Sequence, residues 1–277
     1  MTGIELGGWP DAARPATGRG GWRRRAALAL SRAGLAAAAL PRPQGPIGLC
    51  LTAVVGFSVL FLAFPGLDLA ASELFYRAET GFDLSQNPLL RAFRKSADLC
   101  LAVLVIGLIV RLGWLAARRG PGAVVQARRS GFLLAALAIG PGLVVNGLLK
   151  SHWGRPRPVM VDVFGGEAPY QPVWRISEWC QSNCSFTSGE ASSAAWMVAA
   201  LVLVPAGWRP ALAGPVVAYA FLLSLNRLAF GGHFLSDVVL SWSISGLIFA
   251  VLFRLMVRAP GLARRPRPSE AATPAAA

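Results

Sequence analysis

The sequence is poor in charged residues. Asp, Glu, Lys and Arg make up 14% of the chain, whereas a soluble domain usually carries about 25%. Hydrophobic residues make up 55%, and the mean hydropathy is +0.52. This composition excludes an ordinary soluble domain and predicts a membrane protein.

Histidine and cysteine are also scarce. The chain has two histidines, His152 and His233, and four cysteines. The ligand spacings of a zinc site are absent from the sequence, so we expect no metal site. Recognition modules for nucleic acid are absent too, so we expect no nucleic-acid partner. The net charge of +14 is instead interpreted as contact with anionic lipid headgroups of a bilayer.

Six apolar segments match the length that a membrane helix needs, which is about 20 residues. They are apolar on every side, as helices in lipid are, and lack the polar face of a helix in a soluble bundle. The sequence therefore predicts an all-α fold, a polytopic membrane helix bundle with six transmembrane helices. The predicted spans are residues 47–67, 99–117, 131–149, 191–208, 210–226 and 238–253.

Arginines are distributed unevenly over the loops. They cluster in the N-terminal segment, after the second span, after the fourth span and in the C-terminal tail. With six spans these regions share one side, which the positive-inside rule identifies as the cytoplasm. We therefore expect cytoplasmic N- and C-termini. The predicted divisions are a basic cytoplasmic segment at 1–46, a six-span domain at 47–257 and a disordered cytoplasmic tail at 258–277.

Two polar clusters stand at span ends on the opposite side. The first cluster runs from Lys150 to Pro158 and holds three cations within eight residues; the alternative is flanking charge that reaches the headgroups. The second cluster, Ser188-Gly189-Glu190, opens the fourth span. Free backbone N–H groups at a helix start can bind an anion, although an ordinary helix cap would have the same sequence.

The third cluster lies between the fifth and sixth spans and contains Arg227, His233 and Asp237. His233 and Asp237 are four residues apart, which places both on one face of a helix. The carboxylate could accept a hydrogen bond from one ring nitrogen and leave the other as a nucleophile. The alternative is a His–Asp pair that only caps a helix.

The predicted topology brings the three clusters to one side of the membrane. Several cations, helix-start amides and an oriented nucleophile suit phosphoryl transfer, because fixed donors stabilise the charge on the equatorial oxygens of the transition state. Their convergence favours the functional interpretation over three unrelated clusters.

The clusters resemble the three-part signature of the phosphatidic acid phosphatase type 2 and haloperoxidase superfamily. That signature is a Lys, six residues and Arg-Pro; then Pro-Ser-Gly-His; then Ser-Arg, five residues, His, three residues and Asp. The resemblance implies that His233 forms a phosphohistidine, that Asp237 orients it, and that no metal or other cofactor is needed. It implies phosphate binding by Lys150, Arg157, Ser188, Gly189 and Arg227.

The main departure from the signature is Glu190, because the family has a His there that donates a proton to the leaving alcohol. Glu190 is either a replacement general acid or a sign of reduced activity, and His152 is an alternative donor. The Gly-Glu variant, with Cys180 and Cys184 before it, is similar to bacterial relatives assigned to lipid A dephosphorylation. The two cysteines form either a disulfide, as an oxidising periplasm permits, or two free thiols.

The resemblance implies a metal-independent membrane lipid phosphatase in a bacterial inner membrane, with a periplasmic active site. Lipid A is the favoured substrate, followed by undecaprenyl pyrophosphate, phosphatidylglycerophosphate and phosphatidic acid. The alternative is a catalytically impaired phospholipid-binding membrane protein, which the departure at Glu190 supports. The haloperoxidases of the superfamily are soluble, so six spans argue against that chemistry.

Overall fold

The fold is described from a computed structural model of the protein, which covers residues 45–118 and 120–258. Over those residues the chain is helical and forms no β-strand, which confirms the predicted all-α class. Nearly all of the predicted N-terminal segment (1–46) and C-terminal tail (258–277) lies outside the described residues.

Seven helices, joined by loops with short 3₁₀ turns, form the described part of the chain. Five of them are long and apolar enough to cross a membrane, which agrees with a multi-pass membrane protein. The helices are α1 (Gly45–Ala63), α2 (Gly66–Glu73), α3 (Pro88–Ala116), α4 (Pro121–His152), α5 (Gly189–Leu203), α6 (Arg209–Ala229) and α7 (Leu235–Arg258).

The fourth predicted span is shorter than expected. Helix α5 has 11 residues of α-helix followed by 4 of 3₁₀-helix, a rise of roughly 24 Å. It ends at Leu203 because Pro205 disfavours helical backbone in the residue before it. Arg209 closes this end by donating to the carbonyls of Val204 and Val202, at 2.8 and 3.2 Å. The count of six full spans therefore stays a prediction.

Helix α3 begins eleven residues before the predicted span at 99–117. The side chain of Asn87 caps it by accepting from the N–H groups of Leu89 and Leu90, at 2.9 and 3.2 Å, and Pro88 suits the first helical position. The apolar run at 99–117 identified only the part of α3 that suits lipid. The polar extension carries Arg94 toward the N-terminal end of α5.

The lipid-facing and internal surfaces of the bundle are distinct. Large apolar side chains such as Leu49 on α1 and Val103 on α3 are exposed, as expected of helices that face acyl chains. Inside, the fully buried Trp196 of α5 donates from its indole nitrogen to the Leu133 carbonyl of α4, at 2.7 Å. Helix α7 packs against α1, α4 and α5, so it holds its N-terminal end in a fixed place.

One end of the bundle collects the residues of all three sequence clusters. The start of α3, the end of α4, the start of α5, the end of α6 and the start of α7 meet there, as the contacts below show. Helix α2 and the long loop at 153–188 cover this end.

Candidate active site

His233 lies in the tight turn between α6 and α7, and its side chain is almost fully buried. The turn requires Gly231, which has a φ of +61°, and a Cβ there would meet the side chains of Phe82 and Val159 at 2.6 Å. The adjacent Gly232 lies against the guanidinium of Arg227. The two glycines thus let the turn close and bring His233 beside Arg227.

The His233 ring is held by a backbone carbonyl. Its Nδ1 lies 2.7 Å from the carbonyl oxygen of Ser185, and 3.9 Å from the carboxylate of Asp237. A carbonyl can only accept, so Nδ1 carries the proton and Nε2 keeps its lone pair. Ser185 therefore orients the ring directly. Asp237 acts through Ser185, whose hydroxyl donates to that carboxylate.

The surroundings of His233 keep its ring neutral. Burial, followed by the positive charges of Arg227, Lys150 and Arg157, lowers the pKa of His233 well below its usual range. A neutral imidazole with one protonated nitrogen is the form that can act as a nucleophile. All three cations of the predicted phosphate site therefore lie close enough to His233 for their charges to act on its ring.

Asp237 belongs to a buried ionic cluster with Arg155 and Asp68. The Arg155 guanidinium donates to Asp237 at 2.6 Å and to Asp68 at 2.7 Å, and all three side chains are fully buried. Asp68 also accepts from the N–H and the hydroxyl of Ser236, at 2.8 and 2.6 Å. The cluster ties α2 and the long loop to the start of α7, which begins two residues after His233.

Arg155 has its donors occupied. Beyond the two carboxylates, Nε donates to the Gln171 carbonyl at 2.8 Å, and the guanidinium stacks over the Phe234 ring at 4.5 Å. A buried ion pair needs such additional hydrogen bonds to offset its desolvation. Arg155 thus positions Asp237 and the turn, although it lies in the first cluster between two cations of the predicted phosphate site.

The second cluster forms the N-terminus of α5. The hydroxyl of Ser188 accepts from the N–H of Ala191 at 3.3 Å, so Ser188 is a buried helix cap. A Cβ on Gly189 would collide with the side chain of Asn146. Only glycine at this position allows α5 to approach α4 closely, and this approach brings the helix start beside Lys150.

Glu190 is bound by two arginines. Arg94 donates from Nε to both carboxylate oxygens, at 3.1 and 3.0 Å, and from Nη2 at 2.6 Å. The Nε of Arg227 lies 3.4 Å from the same carboxylate. This arrangement favours a charged Glu190. It also brings Arg94, which belongs to none of the three sequence clusters, to the site.

The three cations of the site differ in burial and in the hydrogen bonds that they make within the protein. Arg227 is 4% exposed, and its buried Nε, which lies 3.4 Å from the Glu190 carboxylate, makes no hydrogen bond among the described residues. Arg157 donates from Nε and Nη2 to the Asn183 carbonyl, at 2.9 and 2.6 Å. Lys150 is half-buried at the end of α4.

A disulfide shapes the loop that binds Arg157. Cys180 and Cys184 are bonded, with their Cα atoms 5.6 Å apart. This segment is an irregular loop, so the poor geometry of a four-residue spacing on a helix does not arise. The bonded loop contains Asn183, whose carbonyl accepts from Arg157.

His152 is placed differently from the other candidates. It is exposed, and its Nδ1 lies 2.9 Å from the Leu148 carbonyl of its own helix. Over the ranges 45–118 and 120–258, no three His, Cys, Asp or Glu side chains come together as metal ligands. The remaining predicted residues gather at one end of the bundle: Lys150, Arg157, Ser188, Gly189, Glu190, Arg227, His233 and Asp237.

Sequence reasoning missed four residues of this site. Ser185, Arg155, Asp68 and Arg94 come from separate segments and match no signature position. Two of them carried a signal: Asp68 is an acid at the edge of the first span, and such ionisable residues are functional candidates. Arg155 is the third cation of the first cluster and the one that matches no position of the signature.

Comparisons with known proteins agree with the resemblance. The PAP2 superfamily profile matches residues 131–260. A lipid A 4'-phosphatase of Rhizobium leguminosarum is 38% identical over 214 residues, covering 71% of this chain and 90% of the relative. That of Rhizobium etli is 38% identical over 219 residues, covering 71% and 81%. That of Francisella tularensis subsp. novicida is 36% identical over 208 residues, covering 72% and 90%. No solved structure gives a significant match.

The matched profile begins in α4 and includes all three clusters. The similarity to the three relatives extends over most of their length and most of this chain. The structure adds several helices that suit a membrane. The chain therefore belongs to the PAP2 superfamily, in its branch of bacterial multi-pass membrane lipid phosphatases.

Proposed function

We propose that this phosphatase removes a phosphate from lipid A on the periplasmic face of the inner membrane. The observation that carries the mechanism is the neutral, buried His233, whose Nδ1 is fixed by the Ser185 carbonyl among three cations. Lipid A is the proposed substrate because the three relatives are named lipid A 4'-phosphatases. Undecaprenyl pyrophosphate, phosphatidylglycerophosphate and phosphatidic acid are the other candidate substrates.

In the proposed reaction, Nε2 of His233 attacks the phosphorus atom and forms a phosphohistidine. The P–O bond to the lipid breaks, and the lipid oxygen leaves as an alcohol after taking a proton. Water then attacks the phosphohistidine and releases inorganic phosphate. Lys150, Arg157 and Arg227, with Ser188 and the Gly189 amide, bind the phosphoryl oxygens and stabilise the transition-state charge.

The role of Glu190 divides into two proposals. As a general acid it would protonate the leaving oxygen in place of the family's histidine, which requires the carboxyl to be protonated. The hydrogen bonds from Arg94 oppose protonation and favour a second role, in which Glu190 holds arginines around the phosphate. A carboxylate paired in this way also repels a phosphate less than a free one would.

The orientation rests on the arginine distribution. The arginine-rich regions lie at the chain termini and on the loops after the second and fourth predicted spans, whereas the candidate site is at the opposite ends of the helices. The positive-inside rule then puts both termini in the cytoplasm and the site in the periplasm.

The experiment is phosphate release from a panel of the four candidate lipids by detergent-purified protein, with and without a chelator. The His233→Ala variant is the control, and we expect at least about a thousandfold loss of turnover. Release from lipid A that needs His233 and survives chelation supports the proposal. Tight lipid binding without release would favour the phospholipid-binding alternative.

A further inference from the structure

Arg94 lies on the polar first turns of α3, and its side chain is 45% exposed. Its position in the sequence, 56 residues before Lys150, connects it to no motif. In the fold it bonds to Glu190, the residue after the Ser188-Gly189 pair. A side chain from outside the signature therefore reaches the phosphate site.

The hydrogen bonds use only one edge of the Arg94 guanidinium. Nε and Nη2 donate to Glu190, and Nη1 donates to no protein atom in the described ranges. The end of the guanidinium that carries both Nη atoms keeps N–H groups for a second anion. A planar fork of this kind matches two oxygens of a phosphate.

The charge of Arg94 acts on the predicted phosphate-binding residues. Arg94 is among the charges that lower the pKa of Arg157, after burial itself. Arg227 shares the Glu190 carboxylate with Arg94, at 3.4 Å. One carboxylate therefore holds two guanidinium groups on the same side of the phosphate site.

We propose that Arg94 is a fourth phosphate-binding cation of this site, presented to the substrate by Glu190. The ligand is the dianion of a phosphate monoester, and the catalytic part of this proposal rests on the proposed function. The departure at Glu190 then has a direct consequence: the carboxylate that replaces the family's histidine recruits a guanidinium from α3.

A purely structural salt bridge between α3 and α5 is the competing explanation. Partly exposed ion pairs of this kind contribute little to stability. Removing such a bridge would leave phosphate affinity unchanged. A binding role would affect phosphate affinity and leave unfolding nearly unchanged.

The test compares Arg94→Ala and Arg94→Lys with a matched control, Lys95→Ala. Lys95 is the next residue on α3, is exposed, and has no hydrogen bond to the site. The probe is inorganic phosphate, and its dissociation constant is measured by titration against the thermal unfolding of each purified protein. We expect Arg94→Ala to weaken phosphate binding about tenfold, Arg94→Lys to weaken it less, and Lys95→Ala to leave it unchanged.

Kinetics with the best lipid of the panel provide the second readout. Arg94→Ala should raise KM and lower kcat/KM, with an unfolding temperature in the absence of phosphate close to that of the unmodified protein. Unchanged phosphate affinity in Arg94→Ala, or an equal loss in Lys95→Ala, would overturn the role of Arg94. Because phosphate binding needs no turnover, an inactive enzyme would refute the proposed function without deciding this inference.

Discussion

At the scale of single residues, Glu190 is the main departure from the three-part signature that the sequence resembles. The structure pairs it with Arg94 and Arg227, so proton donation and arginine binding make different demands on the carboxyl. Glutamine keeps the size and a hydrogen-bond acceptor but removes the charge and the ionisable proton.

Glu190→Gln therefore separates the two proposals. A general acid would lose roughly a hundredfold or more in kcat, with its acid-side pH dependence removed. A residue that only holds arginines would cost less than about tenfold in kcat and would raise KM, because the amide still accepts from Arg94. Steady-state kinetics across pH measure both quantities, and a turnover equal to that of the unmodified enzyme would remove Glu190 from the mechanism.

We expect His233 to determine the acid side of the pH profile. Its pKa is lowered by burial and by the nearby cations, so the ring stays neutral below the ordinary histidine value of about 6.5. We expect kcat/KM to persist through that value as the pH falls and to be lost only at a lower pH. An activity lost around the ordinary value would contradict the neutral ring. Folding stability should also fall with pH from about 6.5 downward, because the unfolded state then binds a proton that the folded His233 does not.

The buried cluster of Asp68, Arg155 and Asp237 gives a third prediction. Asp68 accepts hydrogen bonds from the fully buried Arg155 and from Ser236. In Asp68→Asn the amide cannot satisfy all of these donors, and buried donors left unpaired should cost about 3 kcal/mol of stability. The control is Asp83→Asn, whose partner Arg77 is exposed and whose loss should cost less than about 1 kcal/mol. Denaturation of both variants in detergent tests the difference, and equal losses would show that burial does not strengthen the cluster.

At the scale of elements, the bonded loop at 180–184 contacts Arg157, a proposed phosphate-binding residue. Replacing both Cys180 and Cys184 by serine frees Asn183, so Arg157 loses a fixed acceptor. We expect KM to rise about fivefold, since misplaced binding groups weaken catalysis. The free cysteines Cys50 and Cys100 supply the matched double-serine control, whose KM should not change. A similar KM in both double variants would show that the disulfide does not affect substrate binding at the site.

The elements also show how far the sequence could predict the fold and the site. Apolar runs identified the membrane helices, because lipid demands continuous apolar surface. Fixed spacings identified His233, Arg227 and Lys150. The runs could not show where α3 begins, since its first turns are polar. Spacing could not show that Ser185 holds His233, because that contact is made by a backbone carbonyl, which any residue type has.

Contacts between distant segments were beyond the same reasoning. Arg94 and Glu190 are 96 residues apart, and Asp68 and Arg155 are 87 apart. Neither pair has a local pattern, since each depends on how the helices pack. Sequence reasoning therefore proposed residues for the chemistry, and the fold shows which distant residues contact them.

At the scale of the whole molecule, the orientation in the membrane can be tested directly. Arg175 is exposed in the long loop beside the site, and Ala117 is exposed at the opposite end of α3. A cysteine at 175 should react with a membrane-impermeant maleimide in cells whose outer membrane is permeabilised, whereas one at 117 should react only after lysis. The reverse pattern would place the active site in the cytoplasm and contradict the proposed function.

The short helix α5 has a consequence for the membrane around the protein. Its rise of roughly 24 Å is less than the hydrocarbon thickness of about 30 Å, and Arg209, with the exposed Trp208, stands just beyond its C-terminal end. In a bilayer, headgroups and water would have to reach that guanidinium, so we expect the leaflet on that side to thin beside α5, at a cost of fractions of a kcal/mol per Å. The bilayer thus meets this enzyme at unequal depths around its circumference, and bilayers with shorter acyl chains should accommodate it with less deformation.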